Sequence, residues 1–150
     1  MPVKTQKILK DIADECIAVR FRMLNRMITQ IFDEALRPFE IKASQLNILV
    51  AVATYGPVSS RQLCVVLHMD ASTFSRAVSR IKKRGWLDTE PSGEGKILLI
   101  RMTEPGIKKI REIYPAWKKA QETAQTLLGK SATTAITDAG NRQLLNGMTK

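Results

Sequence analysis

The chain has 150 residues, 44% of them apolar, with 24 Lys and Arg against 14 Asp and Glu and a formal net charge of +10. That suits one domain with a real core, or one domain with a helical arm, and the basic excess favours polyanions, nucleic acid first. Cys16 and Cys64 make no metal, redox or disulfide framework, no apolar run approaches the ~20 residues of a membrane helix, and Met1-Pro2-Val3-Lys4 leads into charged helix rather than a secretory signal, so a cytoplasmic protein is expected.

Thr5 to Leu36 reads as one long helix without Gly or Pro. Ile12, Cys16, Val19, Met23 and Met27 form one apolar stripe. Ile17, Phe21, Leu24, Ile28, Ile31 and Phe32 form another, offset by about 130° at helical spacing. A helix wet on one side needs only one stripe. Two stripes imply two partners, the chain's own lobe and a second subunit. The plainer alternative is one wide stripe in a monomeric core. Pro38 ends this helix. Ser44 is read as the cap of a helix reaching about Tyr55, with Leu46, Leu49, Val50 and Ala53 inward. Gly56-Pro57 closes it.

Ser59 and Gln62 fit a capping box for a short helix carrying Leu63, Val66 and Leu67. His68-Met69 leaves room for only a tight turn. Asp70 is a strong N-cap type, and Gly85 is a left-handed stop. Between them Phe74, Ala77, Val78 and Ile81 form one apolar face. Opposite, Ser72, Arg76, Ser79 and Lys83 share a stripe about 60° wide. After Asp70 no acid appears through Arg84. Hydroxyls and guanidinium groups read base edges and hold phosphates in a major groove. The plain alternative is a solvated face, but such faces usually mix both signs of charge.

After Gly85 the period changes. Trp86 to Glu90 reads as a strand, Pro91 to Gly95 as a turn, and Lys96 to Met102 as a second strand with Leu98, Ile100 and Met102 on one face. Two helices joined by a tight turn and followed by a hairpin make a winged helix-turn-helix. Thr103 then caps a helix to about Leu128, with Pro105 in its first turn. Its inner line is read as Ile107, Ile110, Tyr114, Trp117, Ala124 and Leu128, with a kink expected at Pro115. A last helix, roughly Thr133 to Met148, carries Ile136, Leu144, Leu145 and Met148.

The ordered set of these motifs resembles the MarR family of bacterial transcription regulators. The matching residues are Ser72-Thr73-Phe74-Ser75-Arg76, then Val78-Ser79-Arg80-Ile81-Lys82-Lys83-Arg84-Gly85. They continue with Ile100-Arg101-Met102-Thr103 and the step Thr103-x-x-Gly106. Upstream, Leu36-x-Pro38 and Ser44-x-x-x-x-Ile48-Leu49 fit the family's linker and second helix. Two positions depart from it. Glu94 and Lys96 stand where the family's wing carries Asp-x-Arg, and Lys lacks the planar fork of Arg. Ser79 stands where the family often has Asp.

The resemblance implies a mainly α fold. A dimerisation helix would cover residues 1–40, a winged-helix DNA lobe 41–103 and C-terminal dimerisation helices 104–150. It implies a homodimeric, sequence-specific regulator of double-stranded DNA, a repressor acting at a pseudo-palindromic site. Ser72, Thr73, Ser75, Arg76 and Ser79 would enter the major groove. Arg80 and Lys83 would hold phosphates, and Lys96 would reach a minor groove from the wing. Ser44, Ser59 and Ser60 would add contacts through helix-start amides. A small aromatic anion would release the DNA, with Arg20 as its anchor and Phe21 beside it. A structural ion pair is the plainer reading of Arg20.

No catalytic, metal or cofactor motif is present: there is no P-loop, no H-E-x-x-H and no G-x-S-x-G. Two alternatives stand beside the DNA reading. One is a winged helix that binds protein. The other is a redox-sensing repressor using Cys16, against which a packing cysteine is the plainer reading. Cys64 is read as core, and His68 as a turn residue beside the DNA backbone.

Overall fold

A computed structural model describes residues 3–93 and 98–148. In chain order it contains α1 (Val3–Glu15), α2 (Ile17–Leu36), a 3-10 turn (Arg37–Phe39), α3 (Ala43–Tyr55) and β1 (Val58–Ser59). Then come α4 (Ser60–Val66), α5 (Ala71–Lys83), β2 (Leu87–Pro91), β3 (Leu98–Met102), α6 (Glu104–Leu128) and α7 (Lys130–Met148). This is a winged helix set between long helices.

The helix-turn-helix follows from its caps. The Ser59 hydroxyl accepts from the Gln62 amide at 3.3 Å, and the Gln62 side-chain oxygen accepts from the Ser59 amide at 3.2 Å. The Asp70 carboxylate accepts from the Thr73 amide at 2.8 Å and starts α5. His68 takes the left-handed conformation in the turn, at φ 50°, and Gly85 does so after α5, at φ 74°. The first is unusual for a residue with a side chain; the second is the ordinary glycine stop.

The hairpin strands pair antiparallel, with Leu87 opposite Met102 and Thr89 opposite Ile100. A short third strand was not expected. Val58 of β1 pairs with Ile100, giving the order β1-β3-β2. It ties the segment before α4 to the wing. Leu98 is exposed, so the expected inner face of β3 holds only from Ile100, which is buried, to the partly buried Met102.

Phe74, Val78 and Ile81 of α5 are buried with Ile48 and Leu49 of α3 and Leu63 of α4. Leu36 of α2 and Ile113 of α6 belong to the same cluster. One core therefore joins the winged helix to the long helices, and a fully buried side chain of this size contributes about 1.5–3 kcal/mol. In α6 the buried line is Gly106, Ile113, Ala120 and Ala124. Tyr114 is exposed, which corrects its expected place on the inner line. The helix runs on through Pro115.

The largest departure is at the start. The expected single helix over Thr5–Leu36 is two helices, broken at Cys16 with ψ 103°. No Gly or Pro causes the break. The Arg20 guanidinium closes it, donating to the carbonyl oxygens of Ala13 at 3.2 Å and Cys16 at 3.1 Å. The Ala13 carbonyl is among the orphan acceptors that any helix C-terminus leaves. The two apolar stripes differ in cover. Ile12, Val19, Met23 and Met27 are exposed, whereas Leu24, Ile28, Ile31 and Phe32 are partly covered. Within the second stripe, Ile17 and Phe21 remain exposed. Among the described residues no helix is long and apolar enough to cross a membrane.

Candidate nucleic-acid interface

The recognition face is built on α5. With Phe74, Val78 and Ile81 inward, helical geometry turns Ser72, Thr73, Ser75, Arg76, Ser79, Arg80 and Lys83 outward, and all seven are exposed. Not all are equally free. The Ser72 hydroxyl donates to Asp70 at 2.7 Å, so its proton serves the cap and only its lone pairs face outward. Arg76 makes one long contact, 3.4 Å, to the Thr73 hydroxyl. The Thr73 amide holds the Asp70 carboxyl well below the usual carboxylate range, helped by the hydroxyls of Thr73 and Ser72. Asp70 therefore stays charged at neutral pH and keeps α5 capped.

Burial, then the nearby Asp70 charge, pushes the Cys64 thiol up. That is the environment of an inert packing cysteine. His68 is exposed in the turn. Cys16 lies half-buried at the break between α1 and α2.

The helix-start serines divide. Ser60 is exposed at the first position of α4. Ser59 is taken up by its capping box, hydroxyl and amide alike. Ser44 is exposed but is not the cap of α3, which begins one residue earlier. The Ala43 amide is instead held by the Asp33 carboxylate of α2, at 2.8 Å. Asp33 is thus a cross-element cap that local sequence gives no way to find. Lys96, like Glu94 and Gly95, lies outside the described residues.

The Arg20 guanidinium is committed to backbone carbonyls, and Phe21 is exposed on α2. Arg20 thus bonds backbone carbonyls rather than a carboxylate. An open cleft of about 1270 Å3 lies between α2 and α5. Arg26 and Arg37 line one side, and Arg76, Arg80, Lys83 and Arg84 line the other.

The reader is tied to its supports by contacts that sequence reasoning missed. Lys82 donates to the Thr89 hydroxyl of β2 at 2.8 Å. Trp86, at the base of the wing, lies between Arg84 and Lys109, at 5.0 and 5.4 Å from its ring centre. Lys109 of α6 also sits 5.9 Å from the Phe39 ring and pairs with Glu112 at 2.9 Å. In the wing, Arg101 is neutralised by Asp88 at 3.2 Å and Glu90 at 3.5 Å. It braces the hairpin.

A sequence profile of the MarR family matches residues 39–96, the span from the 3-10 turn to the wing. Over that span the chain is similar to the MarR family. It is similar to an uncharacterised HTH-type transcriptional regulator, YwoH, of Bacillus subtilis, 28% identical over 97 residues, which are 65% of this chain and 71% of the relative. It is 26% identical over 85 residues to the multiple antibiotic resistance protein MarR of Salmonella typhimurium, covering 56% of this chain and 59% of that one. A crystal structure of a mutant MarR from E. coli complexed with operator DNA shares the fold, with a TM-score of 0.77 and 17% identity over 89% of this chain and 97% of that one. So does a probable transcriptional regulator from Pseudomonas aeruginosa, with a TM-score of 0.76 and 22% identity over 87% and 98% of the two chains. The chain thus shares the winged-helix fold of these regulators.

Proposed function

We propose that the chain is a homodimeric repressor that binds a pseudo-palindromic site in double-stranded DNA. The observation that carries this is the outward face of α5, with its exposed hydroxyls, Arg76, Arg80 and Lys83, and no acid after Asp70. A protein-binding winged helix calls for an apolar or acidic face there. The MarR of E. coli and the MepR of S. aureus, which share the fold, have been seen on DNA, the former on operator DNA. Thr73, Ser75, Arg76 and Ser79 read base edges, with Ser72 contributing its lone pairs. Arg80 and Lys83 hold phosphates, and the Ser60 amide adds a backbone contact. Lys96 reaches the minor groove from the wing.

The exposed stripe through Val19, Met23 and Met27 supports a second subunit, since a monomer leaves it in water. The cleft between α2 and α5 supports release by an anion, because its cations include those that the DNA requires. Selection of bound fragments from random DNA tests the reading. It should return inverted repeats with half-sites one helical turn, or a multiple of it, apart. Absence of any enriched sequence favours the protein-binding alternative.

A further inference from the structure

The first helix is an arm. No residue of α1 is buried. It is turned off α2 at Cys16, and Arg20 holds that turn by bonding the carbonyls of Ala13 and Cys16. Ile8, Leu9 and Ile12 are 49%, 50% and 59% exposed. With Thr5 and Cys16 they fall within about 100° of arc, a single apolar stripe. At 13 residues the arm is short for a helix standing alone in water.

Its charges are segregated along the axis. Lys4, Lys7 and Lys10 occupy the N-terminal part; Asp11, Asp14 and Glu15 occupy the C-terminal part. This order is the wrong one for an isolated helix, whose dipole favours acids at the start and bases at the end. It is also the weaker order for pairs within the helix, where the acid does better in front of the base. A local rule broken along a whole element points to a partner that compensates for it.

We infer that two copies of α1 pair antiparallel across the two-fold axis of the dimer. Lys4 and Glu15 lie on the same edge of the stripe, about 20° apart in projection. In an antiparallel pair each edge faces its own copy, so Lys4 meets Glu15 of the partner subunit, and Glu15 meets Lys4 of the partner subunit. The axis then passes between Leu9 and Lys10, and Ile8, Leu9 and Ile12 close over it. Each end of the arm meets the opposite charge and the opposite dipole end. A parallel pair sets base on base and acid on acid, so the same charges that favour one direction oppose the other. The break at Cys16 sets the angle at which the arm leaves α2.

This inference rests on the homodimer reading, and the test separates the two. In the full chain, one variant carries Lys4→Glu, Lys7→Glu and Lys10→Glu; a second carries Asp11→Lys, Asp14→Lys and Glu15→Lys. Sedimentation at low salt should show each variant alone dimerising several-fold more weakly than wild type, since each loses both symmetric Lys4–Glu15 contacts and sets like charge on like. Mixed, the two should form heterodimers beyond the statistical share by native mass spectrometry, and salt should erase the preference. Direction is read from a chain with Lys4→Cys and Glu15→Cys, its native cysteines replaced by Cys16→Ser and Cys64→Ser. After oxidation, peptide mapping should find position 4 joined to position 15 of another chain. Links of 4 to 4 and 15 to 15 overturn the antiparallel pairing. Charge variants that dimerise as wild type does, and mix only statistically, overturn the arm contact and leave the homodimer standing. A wild-type monomer overturns both. If the glutamate variant dimerises normally and loses only DNA affinity, the arm lysines serve DNA and the pairing is wrong.

Discussion

The Lys82 ammonium donates to the Thr89 hydroxyl at 2.8 Å, joining the recognition helix to the first strand of the wing. Lys82 lies beside the basic stripe of α5 but turns away from it, toward the sheet. Asp88, next in β2, has its carboxyl held below the usual range, chiefly by the Thr89 amide that donates to it, with Arg101 and Lys82 adding attraction. The contact fixes the wing against the helix proposed to read the groove. Lys82→Met and Thr89→Val should each weaken specific DNA binding several-fold while leaving the fold intact. The double variant should be no worse than either single one, since both remove the same bond; the coupling energy should be about 1 kcal/mol. Strictly additive losses in a binding cycle would show that Lys82 acts on DNA directly.

Gly106 marks where α6 meets the wing. A Cβ added there meets the Trp86 carbonyl and the Met102 sulfur. The Thr103 hydroxyl locks the same joint, donating to the Gly85 carbonyl at 2.6 Å and accepting from the Gly106 amide at 3.2 Å. Helix propensity alone predicts that Gly106→Ala stabilises by up to about 1 kcal/mol. The close approach reverses that sign. Gly106→Ala should lower the urea midpoint, and Gly106→Val should cost more, on the order of 1–3 kcal/mol, as overpacking does. A raised midpoint for Gly106→Ala would show that the joint is loose.

Asp70 predicts a pH dependence. Its carboxyl lies below the usual range in the folded chain because it accepts from the Thr73 amide and from hydroxyls. A carboxylate whose pKa falls on folding adds stability above its unfolded value, near ~4. That stability is lost as pH falls from there through the lower folded value. Asp70→Asn keeps a capping oxygen but cannot titrate. Wild type should therefore be the more stable at pH 7, and the gap should narrow in acid, beginning below about pH 4. A gap unchanged between pH 7 and pH 3 would show that the charge of Asp70 is immaterial to the cap.

The winged helix was readable where local chemistry sets structure. Asp70 starts α5, Ser59 and Gln62 start α4, and Thr103 starts α6, each by a bond to an amide within three residues, and the Gly85 amide ends α5 by donating to the Lys82 carbonyl. What stayed hidden depends on residues distant in sequence. Ser44 is the better local cap, yet Asp33, ten residues before Ala43, supplies the contact that starts α3. The break at Cys16 has no Gly or Pro to announce it, because a side chain folding back from Arg20 makes it. β1 has two residues and no periodicity to detect; only its pairing with Ile100 and Leu99 reveals it. The recognition face was legible because one inward row, Phe74, Val78 and Ile81, dictates which residues point out. The contacts that hold that helix to β2 and α6 were not.

The last prediction divides the recognition face by role. Arg76 and Arg80 are both exposed cations of α5, one turn apart. Arg76 shares its stripe with Ser72 and Ser79 and rests lightly on Thr73, so its guanidinium is poised among groups suited to base edges. A bidentate Arg contact to guanine discriminates by about 1–3 kcal/mol per base pair. Arg80 and Lys83 lie toward the C-terminal end of the helix, beside Lys82 and Arg84, in a row suited to phosphates. A phosphate contact raises affinity for any sequence and steepens the salt dependence by about one unit of slope per charge. Arg76→Ala should therefore flatten preference at one or two positions of each half-site and leave the salt slope nearly unchanged. Arg80→Ala and Lys83→Ala should each weaken specific and random DNA by similar factors, and each should reduce the slope by about one. Competition binding on point-mutated sites, repeated at several salt concentrations, measures both quantities. Equal loss on every sequence for Arg76→Ala would place Arg76 on phosphate and leave base reading to the hydroxyls of Thr73, Ser75 and Ser79.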